Sequence, residues 1–360
     1  MRKLLPIALI MVLAFTLFAG CAPKEPEVPE EPGAEIAKIG LGHITSIAKS
    51  TEKSVTDDGV VLPVAQVDTV VAAVAFDKDG KVVKVQIDSA QTKVAFDENL
   101  QVTSDTSVPG KTKKELGDEY GMRKVSEIGK EWNEQIEELE NWMVGKTVEE
   151  IKSMPVKERD ENHKAVPDVP ELTSLVTITV EDYLAVVEEA YEKAVEIPEG
   201  ASKLGLGNVI SIAKSLGYSM VDDKETLPTA QVDHTIAATA FDDDGKVVAT
   251  IIDVVQTKVK YDKEGKLLSD KTAEFKSKKE LGDEYGMKKL SEIGKEWYEQ
   301  IEELEKWMVG KTVEEIKSMP VKERDEDHKA VPDVPELTSL VTITVEDYLE
   351  AVAKSYDNAE

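Results

Sequence analysis

"AQVDTVVAAVAFDKDGKVVKVQID" runs from Ala65 to Asp88, and "AQVDHTIAATAFDDDGKVVATIID" returns from Ala230 to Asp253. Both arms of each copy are rich in β-branched residues, and they flank an Asp/Gly-rich tetrapeptide, "DKDG" at 77–80 in the first. Apolar arms around such a turn predict an antiparallel hairpin. "QTKVAFD" (91–97) reads as a third strand. "FDKDG" and "FDDDG" fail as calcium loops, because their first ligand positions fall on Ala75 and Ala240, so they read as plain turns.

Helical patterning follows the strands. Val125, Ile128, Trp132, Ile136, Leu139 and Met143 recur at steps of three and four. This predicts one long amphipathic helix through "RKVSEIGKEWNEQIEELENWMVG", ended by Gly145. "TVEEIKSM" opens with a capping-box pattern, Thr147 with Glu150, and Pro155 stops it. A last helix begins at about Val180. Antiparallel strands followed by helices give an α+β class.

The hairpin repeat belongs to a longer one. "KELGDEYGM" at 114 returns at 279, and "ELTSLVTITVEDYL" at 171 returns letter for letter at 336, both 165 residues on. That period is too long for a solenoid and suits tandem domains, read here as 38–197 and 198–360 with a join near "EIPEGASK".

The N-terminus, "MRKLLPIALIMVLAFTLFAGC", has a basic head, an apolar run and small residues before Cys21. It reads as a secretory signal over 1–20. Phe-Ala-Gly-Cys resembles the lipobox of bacterial lipoproteins, which makes Cys21 a lipidation site. The Pro/Glu-rich stretch that completes 21–37 reads as a disordered tether. Cys21 is the single cysteine of the chain, so disulfides, C-x-x-C-H haem attachment and cysteine-ligated clusters are excluded. Cleavage of the signal removes two cations and takes the formal charge from −28 to −30. That field repels phosphate backbones, and nucleic acid is not an expected partner.

The usual enzymatic motifs are missing: no Walker A, G-x-S-x-G or H-E-x-x-H occurs. His163 and His328 are the one histidine pair that corresponds between copies, and they read as solvated loop residues; no metal site is expected. "LVTITV" has the alternation of a half-buried strand, yet its last threonine, Thr179 (Thr344 in the second copy), is placed to N-cap the final helix. Thr177 and Thr342 then present hydroxyls near a helix N-terminus, a position suited to a phosphate.

The strand–turn–strand pattern followed by a late threonine resembles FMN-binding domains. These occur in subunits of sodium-pumping NADH:quinone reductase, in the related Rnf complex and in flavin-bearing surface lipoproteins. The family motif D-x-x-[ST]-G-A-T ends in a threonine that a flavin transferase joins to the FMN phosphate. Here Glu171, Ser174 and Thr177 take the motif positions, with Glu336, Ser339 and Thr342 in the second copy. The sequence departs from the motif where Leu175-Val176 and Leu340-Val341 replace Gly-Ala.

The resemblance implies two covalent FMN groups on a lipid-anchored, extracytoplasmic electron carrier. It would link quinone-dependent membrane electron-transfer proteins to extracellular acceptors such as ferric iron, without an organic substrate of its own. "KELGDEYGM" offers the expected ring contacts, through Tyr120, Gly121 and Met122 and through Tyr285, Gly286 and Met287. The competing expectation is a solute-binding surface lipoprotein without a redox group, which would be colourless where the flavoprotein is yellow.

Overall fold

The computed structural model describes residues 35–57, 59–326 and 328–360. The signal peptide, Cys21 and nearly all of the tether lie outside the described residues. The hairpin forms as expected: strands Val64–Phe76 and Val82–Ala95 pair antiparallel from Val64↔Ala95 to Phe76↔Val82. The Asp77 carboxylate closes the turn by accepting the amides of Asp79 (2.9 Å) and Lys81 (2.8 Å).

Two elements differ from the sequence reading. "QTKVAFD" is no third strand, because Val82–Ala95 runs unbroken for 14 residues and no turn former interrupts it. The third long strand is Lys38–Ser46, which pairs with the outer side of Val64–Phe76. The sheet order is thus 82–95, 64–76, 38–46, with a two-residue strand Val195–Glu196 at the far edge. The second half repeats it as 247–260, 229–241, 203–211.

Helices cover one face of each sheet. Val70, Ala72, Val74, Phe76, Val85 and Ile87 pack against Trp132, Ile136, Leu139 and Met143, and against Tyr183, Val186, Val187 and Ala190. The expected long helix is shorter than its pattern: it spans Trp132–Met143, and residues 117–124 are two short 3₁₀ turns. Glu131 caps it in a reciprocal box with Glu134, and the Glu131 carboxylate also takes the amides of Met122 (2.8 Å) and Arg123 (2.9 Å). Val125 consequently leaves the apolar stripe and is 84% exposed. "LVTITV" is irregular chain, not strand, and the final helix spans Glu181–Glu192. The Thr147–Glu150 box forms as read.

The other faces of the two sheets are also buried, each in the other half. Ile39, Leu41, Val71, Ala73 and Ala75 share a core with Leu204, Leu206, Ile236, Ala238, Ala240 and Val255. A second shared core joins Ile47, Val67, Val94 and Phe96 to Ile210, Val232, Val259 and Tyr261. Burial on both faces explains why "TVVAAVAF" is continuously apolar instead of alternating. The two similar halves are therefore one compact unit. Among the described residues no helix is long and apolar enough to cross a membrane.

Helix and sheet touch through glycine. A Cβ on Gly40 would lie 1.8 Å from the Ala190 carbonyl oxygen, and one on Gly42 2.1 Å from that of Val186. Gly205 and Gly207 meet Ser355 and Ala351 in the same way, at 1.7 and 1.8 Å. Backbone cannot yield as a flexible side chain would, so Gly42→Ala should lower stability by ~3 kcal/mol through overpacking. Urea unfolding followed by far-UV circular dichroism measures it, and an unchanged midpoint would contradict this packing.

Candidate functional site

The chain between the sheet and the Trp132–Met143 helix contains a four-residue helix, Lys113–Leu116, whose capping box joins Thr112 and Glu115. "GDEYGM" then turns back over the end of the sheet, with Gly121 left-handed at φ 78°. Left-handed backbone is where glycine is favoured. A Cβ on Gly121 would meet only the Glu119 carbonyl at 3.9 Å, so the turn requires this glycine and ligand approach does not. Tyr120 is thereby laid against the helix-side core, and its hydroxyl donates to Gln91 Oε1 at 3.1 Å.

Thr177 reaches the same place from the other end of the half. Its amide and hydroxyl both donate to Gln135 Oε1, at 2.9 and 3.2 Å. Gln135 is fully buried, and its Nε2 donates to Met122 Sδ (3.5 Å) and the Lys130 carbonyl (3.4 Å). One amide side chain thus bridges the methionine of the loop to the threonine before the last helix. Gln300 does the same for Met287 and Thr342, with identical 2.9 and 3.2 Å contacts to the threonine. Arg159 Nη1 donates to the Thr177 carbonyl at 3.0 Å, and Arg324 to that of Thr342 at 2.8 Å.

In the second half these groups line a two-lobed hollow. One lobe, about 410 Å³, is lined by Thr342, Arg324, His328, Gln300 and the turn Tyr285-Gly286-Met287. The other, about 330 Å³, shares Tyr285, Met287, His328 and Ile343 and adds Lys214, Lys278, Trp297, Thr344 and Tyr348, together with the acidic Asp233, Glu346 and Asp347. Such volumes fall in the range of small-molecule and cofactor sites. His328 is a part-exposed loop residue, as read, and it also belongs to the hollow's wall; its Nδ1 contacts Asp325 at 2.6 Å.

Thr179 and Thr344 are not N-caps. The caps are Val180 and Val345, neither with a side-chain bond, because the helices start one residue later than the threonines require. Instead the Oγ1 atoms of Thr179 and Thr344 are buried without a hydrogen-bond partner. Native structures rarely leave such atoms unpaired, and Thr344 belongs to the wall of the second lobe. Ser174 and Ser339 are exposed on the turn before the threonine, and Glu171 and Glu336 are exposed with them; Ser339 is not among the residues that line the hollow. Val176, in place of the motif's small residue, is buried in the helix-side core.

Sequence reasoning missed Gln135 and Gln300, polar residues that fall on the apolar face, three residues after Trp132 and Trp297, and are fully buried there. It also missed Lys113 and Lys278, whose ammonium groups lie over aromatic rings. Burial pulls both lysines down to about 8. The signal was present in each copy as the same "KKEL" before the glycine turn.

No protein-family model matches the chain. A chlorophenol reductase of Desulfitobacterium hafniense is similar to it, 32% identical over 144 residues. The match covers 36% of this chain and 41% of that protein, so the chain spans less than half of its relative's length. No solved structure matches.

The Gln135 bridge has a measurable consequence. Gln135→Leu removes the acceptor from a Thr177 amide and should cost ~2 kcal/mol, as expected for a buried donor left unpaired. Hydrogen exchange should show faster loss at the Thr177 amide than at Val187 in the helix beyond. Equal protection at both would mean the bridge does not hold the threonine.

Proposed function

We propose that the chain is a lipid-anchored, extracytoplasmic flavoprotein that carries electrons through two FMN groups, bound by phosphoester at Thr177 and Thr342. The observation that carries this reading is convergence. In the second half two segments far apart in sequence, "KELGDEYGM" and the threonine of "LVTITV", line one hollow whose walls hold aromatic rings and charges of both signs. A reductase as relative supports a redox role, and a flavin is the redox group for which the chain has residues.

The residues present fit the group. Thr342 Oγ1 is the nucleophile position, and Gln300 holds its hydroxyl. Arg324 and His328, in the same lobe, are placed to balance the phosphate charge. This role passes to Arg159 in the first half, which grips the Thr177 carbonyl. The helix N-terminus is a poorer candidate than the sequence suggested, because the Thr177 amide is already engaged and Glu181 and Asp182 open the helix. Tyr285 and Met287 present flat and polarisable surface to a ring. Exposed Ser174 and Glu171, with Ser339 and Glu336, are available to a flavin transferase while the hollow receives the flavin. When bound, FMN exchanges one or two electrons, which suits transfer from a quinone-linked donor to extracellular acceptors such as ferric iron.

Intact mass of protein co-expressed with a flavin transferase tests attachment. The parent should carry two FMN groups, Thr177→Ala one, Thr342→Ala one and the double variant none, each still folded. Covalent FMN on the double variant would place attachment elsewhere, and a colourless parent would favour a solute-binding lipoprotein.

Anchoring is separately measurable. Cys21→Ala should move the protein from the membrane fraction to the medium in detergent-free fractionation. Unchanged retention would overturn the lipid anchor.

A further inference from the structure

Each half holds an ammonium group whose direct contacts are ring faces, with no carboxylate in ion-pair contact. Lys113 Nζ lies 5.0 Å from the ring centre of Tyr120 and 5.1 Å from that of Trp132. Lys278 Nζ lies 5.1 and 5.2 Å from Tyr285 and Trp297. Among the described residues neither Nζ makes a hydrogen bond or ion pair, although Lys113 is only 9% exposed. Asp347 and Glu346 share the lobe with Lys278 without forming an ion pair to it, and four other nearby carboxylates are engaged elsewhere. Asp68 takes Gln66 Nε2 (2.8 Å) and Lys49 (2.9 Å), and Asp233 takes the side chains of Gln231 and Gln256 (2.9 Å each). Asp88 and Asp253 accept backbone amides of the following loop, Lys114 and Lys279 (3.1 Å each). A buried cation without a partner is unfavourable unless a ligand completes it.

The lysine is also held in place. It is the first residue of a four-residue helix whose capping box is built by Thr112 in one half and Ser277 in the other. The box survives the change of residue, and so does the cation–aromatic arrangement. Lys278 lines the lobe that contains Trp297, Tyr348 and the unpartnered Thr344 Oγ1. Thr342 and Arg324 line the adjoining lobe and not this one.

We propose that Lys113 and Lys278 bind the ring end of the flavin, each ammonium facing the pyrimidine edge and balancing the negative charge that reduction leaves there. The proposal rests on the flavin reading above. Its balance is simple: a reductant (a quinol in the cell, dithionite in a titration) delivers two electrons, and one proton is taken up from water. The ring gains one net negative charge. The lysine keeps its proton throughout and supplies a charge-assisted hydrogen bond to that charge. Because this contact favours the reduced ring over the oxidised one, it raises the reduction potential of the site.

The test isolates one site. In a Thr177→Ala background, co-expressed with a flavin transferase, only the Thr342 flavin should remain. Lys278→Met in that background should shift the reduction equilibrium at least tenfold toward the oxidised form, a fall of about 30 mV for a two-electron couple. Lys278→Gln, which keeps polarity without charge, should fall with it, and Lys278→Arg should stay within about threefold of the parent, ~15 mV on the same scale. Spectroscopic redox titration gives the potentials, and intact mass gives flavin content. A parent without covalent FMN would overturn both the flavin reading and this one. Full flavin content with unchanged potentials in the Met and Gln variants would overturn the lysine's role alone. Loss of covalent flavin with an unchanged potential in the remainder would assign the lysine to attachment and overturn it equally.

Discussion

The contact between a glycine pair and a helix carbonyl governs much of this molecule. Gly40 and Gly42 lie so close under the Glu181–Glu192 helix that a methyl group at either would overlap its backbone. The helix therefore rests on the strand itself instead of on side chains. Its position sets that of the irregular chain just before it, and so brings Thr177 to the buried carbonyl of Gln135. The Tyr120 loop is held separately, by the Thr112 capping box and the Glu131 carboxylate.

The same strands are also buried on their far side. A sheet with helices on one face and another sheet on the other has no solvent-facing surface for polar alternation, which is why its sequence reads as an apolar run. Sharing two cores across the halves joins both sites to one body. Each half keeps its own glutamine bridge, arginine, lysine and orphan threonine hydroxyl, so the site is built twice from local contacts on a common support.

Electrostatics within the site are mixed in sign. The protein is strongly acidic, yet each half turns a lysine and an arginine toward the segment that contains its threonine. The hollow of the second half sets these cations beside Asp233, Glu346 and Asp347, so a bound anion would be received by individual side chains and not by a uniformly positive field.

Read along the chain alone, the sequence revealed the hairpin, the class of the fold, the 165-residue repeat and the two segments that line the hollow, because turn chemistry, hydrophobic period and identity between copies need no knowledge of packing. It also located the Thr147–Glu150 cap. It overextended the Trp132 helix, since the stripe continues to Val125 while the Glu131 carboxylate binds the preceding turn and ends the helix there. It misjudged Thr179 as a cap by one residue, a shift within which propensity does not discriminate. Only the tertiary structure decided that the halves share cores, that Gln135 and Gln300 face the threonines, and that Lys113 and Lys278 enter the site. Those facts depend on how closely a helix approaches a sheet and which faces meet, and contacts between residues far apart in the chain leave no periodic trace within it.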